Sequence, residues 1–428
     1  MRKKQIIFIA IFLTMIIIVQ AASIPFTYLK KSSMVDKVMK IIEDNFVGLT
    51  DTQEVQENEL IYGAIEGMLR TLDDPYTRFM RPDSYKEMQE ETTGTFGGVG
   101  IIITNKDDLL MVVSPIEGTP AWRAGVRPGD VIYKIDGEPS AHMHTIDATK
   151  KIKGPIGTVV NLTLRRKGKD GEFKYVDVDI KRDTIKVSTI SQSGVIKDHI
   201  GYIRISNFGA RTGAEFKDEM DHLIASSNID SLILDLRSNP GGLLNTAVEV
   251  ASHLLDGGKT VVSIKGKNEE EVSYPVYKEG NTDLPLAVLV NEGSASGSEI
   301  VAGAIRDHQR GVLIGTKTFG KGVVQTVIPL DDGSAVAVTT ARYYTPSGIC
   351  IQGTGIKPDI LIEMPEPTEE ILEQIQKERE ENFRKEQDKI YEREQGKVIN
   401  VDIPSYDNQL RETVQIIEGA AIFSKISR

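Results

Sequence analysis

Between Ile200 and Gly315 short apolar runs alternate with helix-patterned runs, and this alternation constrains the fold more than any other feature of the chain. "IGYIRIS", "SLILDLR", "LAVLV" and "GVLIG" read as strands. "GAEFKDEMDHLIAS", "LLNTAVEVASHLL" and "SEIVAGAIRDH" stand between them and read as helices. Strands alternating with helices argue for βαβ units around a buried sheet, here over residues 184–363. A hairpin follows the last unit: "VVQTVIPL", the turn Asp331-Asp332-Gly333, then "AVAVTTARYY".

The texture upstream, over 94–183, is different. The β-like runs "GGVGIIIT", "LLMVVSPI", "DVIYKIDG", "VVNLTLRR" and "YVDVDIKR" are separated by turn signals such as Pro128-Gly129-Asp130 and Lys169-Asp170-Gly171. One helical stretch, "TIDATKKIKG", sits among them, and the whole makes a small β-rich domain. Residues 32–93 read as helical, with apolar positions Met34, Val35, Val38, Met39, Ile41 and Ile42, then Leu60, Ile61, Ala64, Ile65, Met68 and Leu69. "DDPYT" breaks that pattern at Pro75. The tail, 364–428, is dense in both charge signs. Its thin stripe of Ile371, Leu372, Ile375, Phe383 and Ile390 suits a solvated or partner-facing helix. Nearer the end Leu410, Val414, Ile416, Ile417, Ala420 and Ala421 recur at helical spacing, a stripe that must pack either back onto the core or against a second copy. The fold class is therefore α/β and multidomain: a β-rich domain with short helices before a βαβ core, with helical segments at both ends.

A chain of 428 residues is too long for one ordinary core, and 40% hydrophobic with 26% charged residues is a globular balance. The net charge of −11 excludes a general nucleic-acid binder, because nothing would neutralise phosphate. Cys350 is the one cysteine, which excludes an intrachain disulfide framework and a Cys-rich zinc site. With no neighbouring His it reads as a small buried apolar residue. The N-terminus, 1–31, opens with "MRKK" and the apolar run Ile6–Val19. That is a signal peptide or membrane anchor, so the body is exported to the extracytoplasmic face with Arg2, Lys3 and Lys4 on the cytoplasmic side.

Candidate chemistry sits in "VNEGSASGSEI", where a strand gives way to a helix. In open α/β sheets ligands bind at the carboxyl ends of strands. Ser294, Ser296 and Ser298 lie there among Gly293, Ala295 and Gly297, which allow close approach of a substrate backbone. A serine nucleophile with an oxyanion hole at the helix N-terminus fits the loop. Helix capping, for which Ser298 would serve, fits it equally well. The lipase-type elbow does not, since Ala295 occupies its centre. None of the histidines, His142, His144, His199, His222, His253 and His308, makes a defensible base; His308 lies a full helix length from Ser296. Lysine is the other option, because burial among apolar groups removes its charge. "GTKTFGKGVVQ" offers Lys317 and Lys321 just after a strand expected beside "LAVLV".

Three segments, "LILDLRSNPGGLL", "VLVNEGSASGSEIVAGA" and "GTKTFGKGVVQT", resemble the signature blocks of the carboxy-terminal processing peptidases, also called tail-specific proteases. "GTFGGVGI" resembles the carboxylate-binding loop of a PDZ domain, and "PAWRAGVRPGDVIYKIDG" the PDZ segment around its short helix. The resemblance covers about Ser32 to Glu363 in the family's order: helical segment, PDZ domain (94–183), protease core (184–363). It implies Ser296 as nucleophile, Lys321 as general base and Gln325 as the residue that orients the lysine. It places the oxyanion hole at the N–H groups of Gly297 and Gly242, with Gly241 beside it. Position 297 is Gly where Ala is frequent in the family, and only the N–H is needed. A lysine base of ordinary pKa, about 10.4, must be lowered by roughly three units to work at neutral pH, at ~4 kcal/mol.

The PDZ resemblance implies protein or peptide substrates with free apolar C-termini. These are captured by Gly97-Gly98-Val99-Gly100 with Phe96 and Ile101 at the rim. No cofactor and no metal are implied, and a homodimer through the terminal helices is. The competing reading is a catalytically weak PDZ-bearing scaffold or peptide-binding protein. The scaffold reading predicts loss of Ser296 or Lys321, and both are present, whereas the PDZ part alone fits the peptide-binding reading as well.

Overall fold

The structure, a computed structural model, describes residues 26–47, 57–106, 109–116, 118–168, 171–267, 270–277, 283–365, a few positions between 368 and 373, and 397–426. The apolar run Ile6–Val19 and most of the charged stretch before Lys397 lie outside them. Among the described residues no helix is long and apolar enough to cross a membrane. The chain divides into two compact units, residues 1–85 with 325–339, and residues 86–324 with 340–428.

The first unit contains helices α1 (Phe26–Asn45) and α2 (Glu57–Arg70), as the apolar spacing predicts. Glu57 and Glu59 in the first turn of α2 and Arg70 in its last complement the helix dipole. The expected break at "DDPYT" is an Asp turn: the Asp74 carboxylate accepts the N–H of Tyr76 (3.1 Å) and of Thr77 (3.2 Å) and the Thr77 hydroxyl (2.6 Å). Strand β1 (Arg78–Met80) then pairs antiparallel with residues 335–337. Helix α1 leaves Met34, Val35, Val38 and Ile41 at 42–67% exposure. Helix α3 (Pro82–Thr93) follows β1.

In the second unit β2 (Thr95–Gly98) leads into a sheet of β3 (Ile101–Lys106), β4 (Leu109–Pro115), β5 (Val131–Ile135), β7 (Val159–Lys167) and β8 (Phe173–Lys181). All neighbours are antiparallel, β6 (Glu138–Pro139) lies beside β5, and β3 is an edge. Helices α4 (Pro120–Arg123) and α5 (Thr145–Ile152) complete it. Alternate residues of β7, Val160, Leu162 and Leu164, pack with Leu110, Val112, Ile132, Ala148 and Ile152 in one core. β9 (Asp183–Lys186) pairs back onto β2 and closes the domain at its entry and exit.

The βαβ expectation holds. β10 (Ile190–Ile196), β11 (Ile200–Ile205), β12 (Ser231–Asp235), β15 (Leu286–Val290) and β16 (Val312–Gly315) stand side by side in that order, parallel from β11 onward. β19 (Ile360–Leu361) adds to β16. Helices α6 (Thr212–Ser227), α7 (Leu244–Ser252) and α8 (Gly297–Asp307) cover one face through Phe216, Met220, Val248, Ile300 and Val301. β13 (Thr260–Gly266) and β14 (Val272–Pro275) form an antiparallel pair, and β13 also pairs with the end of β18 (Ala335–Tyr344). β17 (Val323–Pro329) and β18 are the expected hairpin.

The other face of the parallel sheet presents Tyr202, Ile233, Leu289 and Ile314. Helix α9 (Asn408–Ile426) covers it with Leu410, Val414 and Ile417. Of the two covers open to the C-terminal stripe, the core and a second copy, Leu410, Val414 and Ile417 take the core. Both faces of a parallel sheet must be buried, and α9 supplies the second cover within the same molecule.

Candidate active site

The loop between β15 and α8 sorts its three serines by what their hydroxyls do. Ser294 is fully buried; its Oγ donates to the Leu236 carbonyl (2.8 Å) and accepts the Asn291 N–H (3.0 Å). Ser298 is also buried and donates to the Asn239 carbonyl at 2.9 Å. Ser296 is partly exposed. It is the N-cap of α8, with φ 50° and ψ −110°, a sparsely populated conformation that costs on the order of 1–3 kcal/mol. The cap expected at Ser298 thus falls at Ser296, and Ser298 lies inside the first turn.

Glu299 holds that conformation in place, and the sequence reading missed it. Its side chain is fully buried. One carboxylate oxygen accepts the N–H of Ser296 (2.9 Å) and of Lys321 (2.8 Å). The other accepts the N–H of Gly320 (2.7 Å) and the hydroxyl of Thr318 (2.6 Å). Burial pushes the Glu299 carboxyl above its ordinary value, and these hydrogen bonds offset that push only in part. The signal was present as Ser296-Gly297-Ser298-Glu299, the S-x-x-E pattern of a capped helix start.

Lys321 is half-buried, whereas Lys317 is exposed. The glycines flanking Lys321 are required by close packing. A Cβ at Gly320 would lie 2.9 Å from the Gly355 nitrogen, and one at Gly322 would lie 2.5 Å from that of Gln352. Gln325 falls in the other compact unit, where its Nε2 donates to the Tyr76 carbonyl at 2.5 Å.

The "SNPGG" loop packs directly on the serine. Gly241 has φ 99°, and a Cβ there would sit 2.7 Å from Ser296 Cβ and 2.8 Å from the Gly297 nitrogen. Asn239 staples the two loops together. Its carbonyl accepts the Ala295 N–H (3.0 Å) as well as the Ser298 hydroxyl, and its Oδ1 accepts the Gly241 N–H (2.9 Å). The Gly241 N–H is therefore spent, which removes it from the expected oxyanion hole. Among the described residues the N–H groups of Gly242 and Gly297 have no such partner.

The PDZ loop is shorter than expected. Phe96, Gly97 and Gly98 belong to β2, paired with Ile185, Thr184 and Asp183, so only Val99 and Gly100 remain as loop before Ile101 opens β3. The Val99 carbonyl accepts the Ala121 N–H (2.8 Å), and the Gly100 carbonyl accepts that of Ile116 (2.9 Å). The Lys153 ammonium lies 4.1 Å from the centre of the Phe96 ring and 3.0 Å from Glu90. A groove of about 620 Å³ runs from Phe96 and Lys153 past Asn207 to Pro240, at the foot of the glycine pair.

Comparison with known proteins follows the same division. Residues 199–362 match the model of peptidase family S41, 111–166 that of a PDZ domain, and 19–84 that of the activating protease CtpB N-terminal domain. The carboxy-terminal-processing protease of Bartonella bacilliformis is 41% identical over 378 residues, 86% of this chain and 84% of that protein. The carboxy-terminal processing protease CtpA of Bacillus subtilis is 39% identical over 314 residues, 73% of this chain and 66% of that protein. Among solved structures, the photosystem II D1 C-terminal processing protease is 31% identical and covers 77% of this chain and 93% of its own, with a TM-score of 0.44.

Proposed function

The chain belongs to peptidase family S41, as a serine peptidase of the carboxy-terminal processing type with a PDZ domain, and from that premise we propose that it is an endopeptidase working through a Ser296–Lys321 dyad. The observation that carries the assignment is the shared Glu299 carboxylate, which ties the backbone of both residues to one point. Ser296 Oγ attacks the scissile carbonyl carbon, and Lys321 Nζ takes the hydroxyl proton. The carbonyl oxygen gains negative charge and is met by the N–H groups of Gly297 and Gly242. Collapse of the tetrahedral intermediate breaks the C–N bond, and Lys321 returns the proton to the leaving amine. A water then enters by the same steps and releases the acid.

The PDZ domain binds C-terminal peptides of substrates, adding the tail as a strand at the free edge of β3. The preferred tail is apolar with a free carboxylate, read at Val99, Gly100 and Ile101. The substrate reaches the serine along the groove between Phe96 and Pro240. Peptide cleavage by the full chain tests the reading. Activity should vanish in Ser296→Ala and fall when the substrate C-terminus is amidated; equal rates for free and amidated peptides would remove the PDZ gate.

Two further parts of the proposal rest on the termini. The body is exported to the extracytoplasmic face, supported by the basic start and apolar run before Gln20. Digestion by protease added outside intact cells checks it, and a protected body would refute it. The protein is a homodimer through α1, whose Met34, Val35, Val38 and Ile41 remain exposed. A monomer mass by light scattering at micromolar concentration would refute that.

A further inference from the structure

The loop that carries the glycine pair is braced by a part of the chain beyond the S41 match, which ends at residue 362. Arg237 lies at the start of that loop and is only 7% exposed. Its guanidinium is divided between two carboxylates, one two residues before it and one 170 residues further along the chain. Nη2 donates to Asp235 Oδ2 (2.7 Å) and Asp407 Oδ2 (2.8 Å); Nη1 donates to Asp407 Oδ1 (2.7 Å) and Gln409 Oε1 (3.2 Å). Asp235 is also held by Tyr202 Oη (2.7 Å) and by the Arg237 N–H (2.9 Å). Burial opposes the charge on Asp235, but the adjacent Arg237 outweighs it and holds the carboxyl below its ordinary value.

Asp407 has a second task. Its Oδ1 accepts the Leu410 N–H at 2.9 Å, so it is the cap of α9. Gln409, fully buried, donates to the Ile362 carbonyl at 2.7 Å. The start of α9 is thus bonded to Arg237, and the rest of α9 is seated on the sheet. From Arg237 the backbone runs to Ser238, at φ 57°, and Asn239, which positions Gly241 and the serine loop. Misplacing reacting groups by about 1 Å can cost on the order of a hundredfold in rate.

We propose that Asp407, with Gln409 beside it, is a positioning residue for the peptidase reaction: it fixes Arg237 so that loop 236–242 presents the Gly242 N–H to the oxyanion. The inference rests on the Ser296–Lys321 reading above. An oxyanion donor acts chiefly in the transition state, so the effect falls on kcat and not on KM.

The test is peptide cleavage by the full chain carrying Asp407→Asn. Asparagine caps a helix as well as aspartate but removes the charge that faces Arg237. The expected result is a fall in kcat of about tenfold or more with KM within roughly twofold. Val414→Ala loosens α9 on the sheet without touching the ion pair, and should keep kcat within about twofold. Wild-type kcat in Asp407→Asn overturns the proposal, as does a loss no larger than that of Val414→Ala at equal thermal midpoint. If Asp407→Asn does not fold, Gln409→Met decides: a kcat loss of about threefold at constant KM supports the proposal, and no change overturns it. Ser296→Ala in the same assay separates the two readings. A wild type that cleaves nothing condemns the dyad; Ser296-dependent cleavage that ignores Asp407→Asn condemns this inference alone.

Discussion

The backbone amides of Ser296 and Lys321 share one acceptor, a single carboxylate oxygen of Glu299, at 2.9 and 2.8 Å. The two loops that follow β15 and β16 are thereby held to a common point. The group that holds them is fully buried and must be ionised to accept all its donors.

Glu299→Gln therefore has a defined outcome. The amide keeps one acceptor oxygen and turns an NH2 toward groups that themselves donate. Losing a hydrogen bond to a charged group is worth about 1.5–3 kcal/mol, so kcat should fall roughly 10- to 100-fold. Steady-state kinetics check it; unchanged kcat would make Glu299 a bystander.

Stability and activity should respond to pH in opposite directions through Glu299. Its folded value is raised above the ordinary 4.5, so the native state holds the proton more tightly than the unfolded chain. Its contribution to stability is complete below the unfolded value and is lost as pH rises through the raised folded value. Activity needs the carboxylate and rises through that same window. A pH profile of kcat beside urea midpoints tests this, and Glu299→Gln should lose its part of the acid limb.

The three serines should separate by phenotype. Ser294→Ala strands the Asn291 N–H and should cost about 1–3 kcal/mol of stability, with some activity retained. Ser298→Ala costs less, about 0.5–1.5 kcal/mol, because the Asn239 carbonyl keeps the Ala295 N–H. Ser296→Ala should abolish turnover with little change in thermal midpoint. Turnover surviving in Ser296→Ala would reassign the nucleophile.

Lys321→Ala and Lys321→Arg should both be inactive, since a guanidinium stays protonated at any usable pH. Lys317→Ala, on an exposed side chain, should keep wild-type rates. The reverse ranking would move the base to Lys317.

Two glycines beside the serine should also part company. Gly297→Ala brings a Cβ to 3.0 Å from Phe208 Cδ2, a ring that can shift by a few tenths of an ångström, so kcat should fall only a few-fold. Gly241→Ala meets Ala295 O and Ser296 Cβ at 2.7 Å with φ at 99°, and should be inactive. Equal activity in the two would contradict the packing of the loop.

The sequence by itself determined the order of strands and helices, the β-rich domain ahead of a βαβ core, and the serine and lysine loops at the carboxyl ends of adjacent strands. These are local or periodic properties: a strand, a turn or a helix stripe is written in a few neighbouring residues. The tertiary structure decided the rest. It spent the hydroxyls of Ser294 and Ser298 on Leu236 and Asn239 and left Ser296 partly exposed. It gave the Gly241 N–H to Asn239, and it drew Asp407 onto Arg237 across the sheet. It also turned the C-terminal stripe inward onto the core, one of the two covers the sequence left open. An amphipathic stripe states that a surface needs cover, and a polar side chain that it needs a bond. Which residue answers is set by where the chain returns in space, and that depends on long-range packing no local pattern encodes.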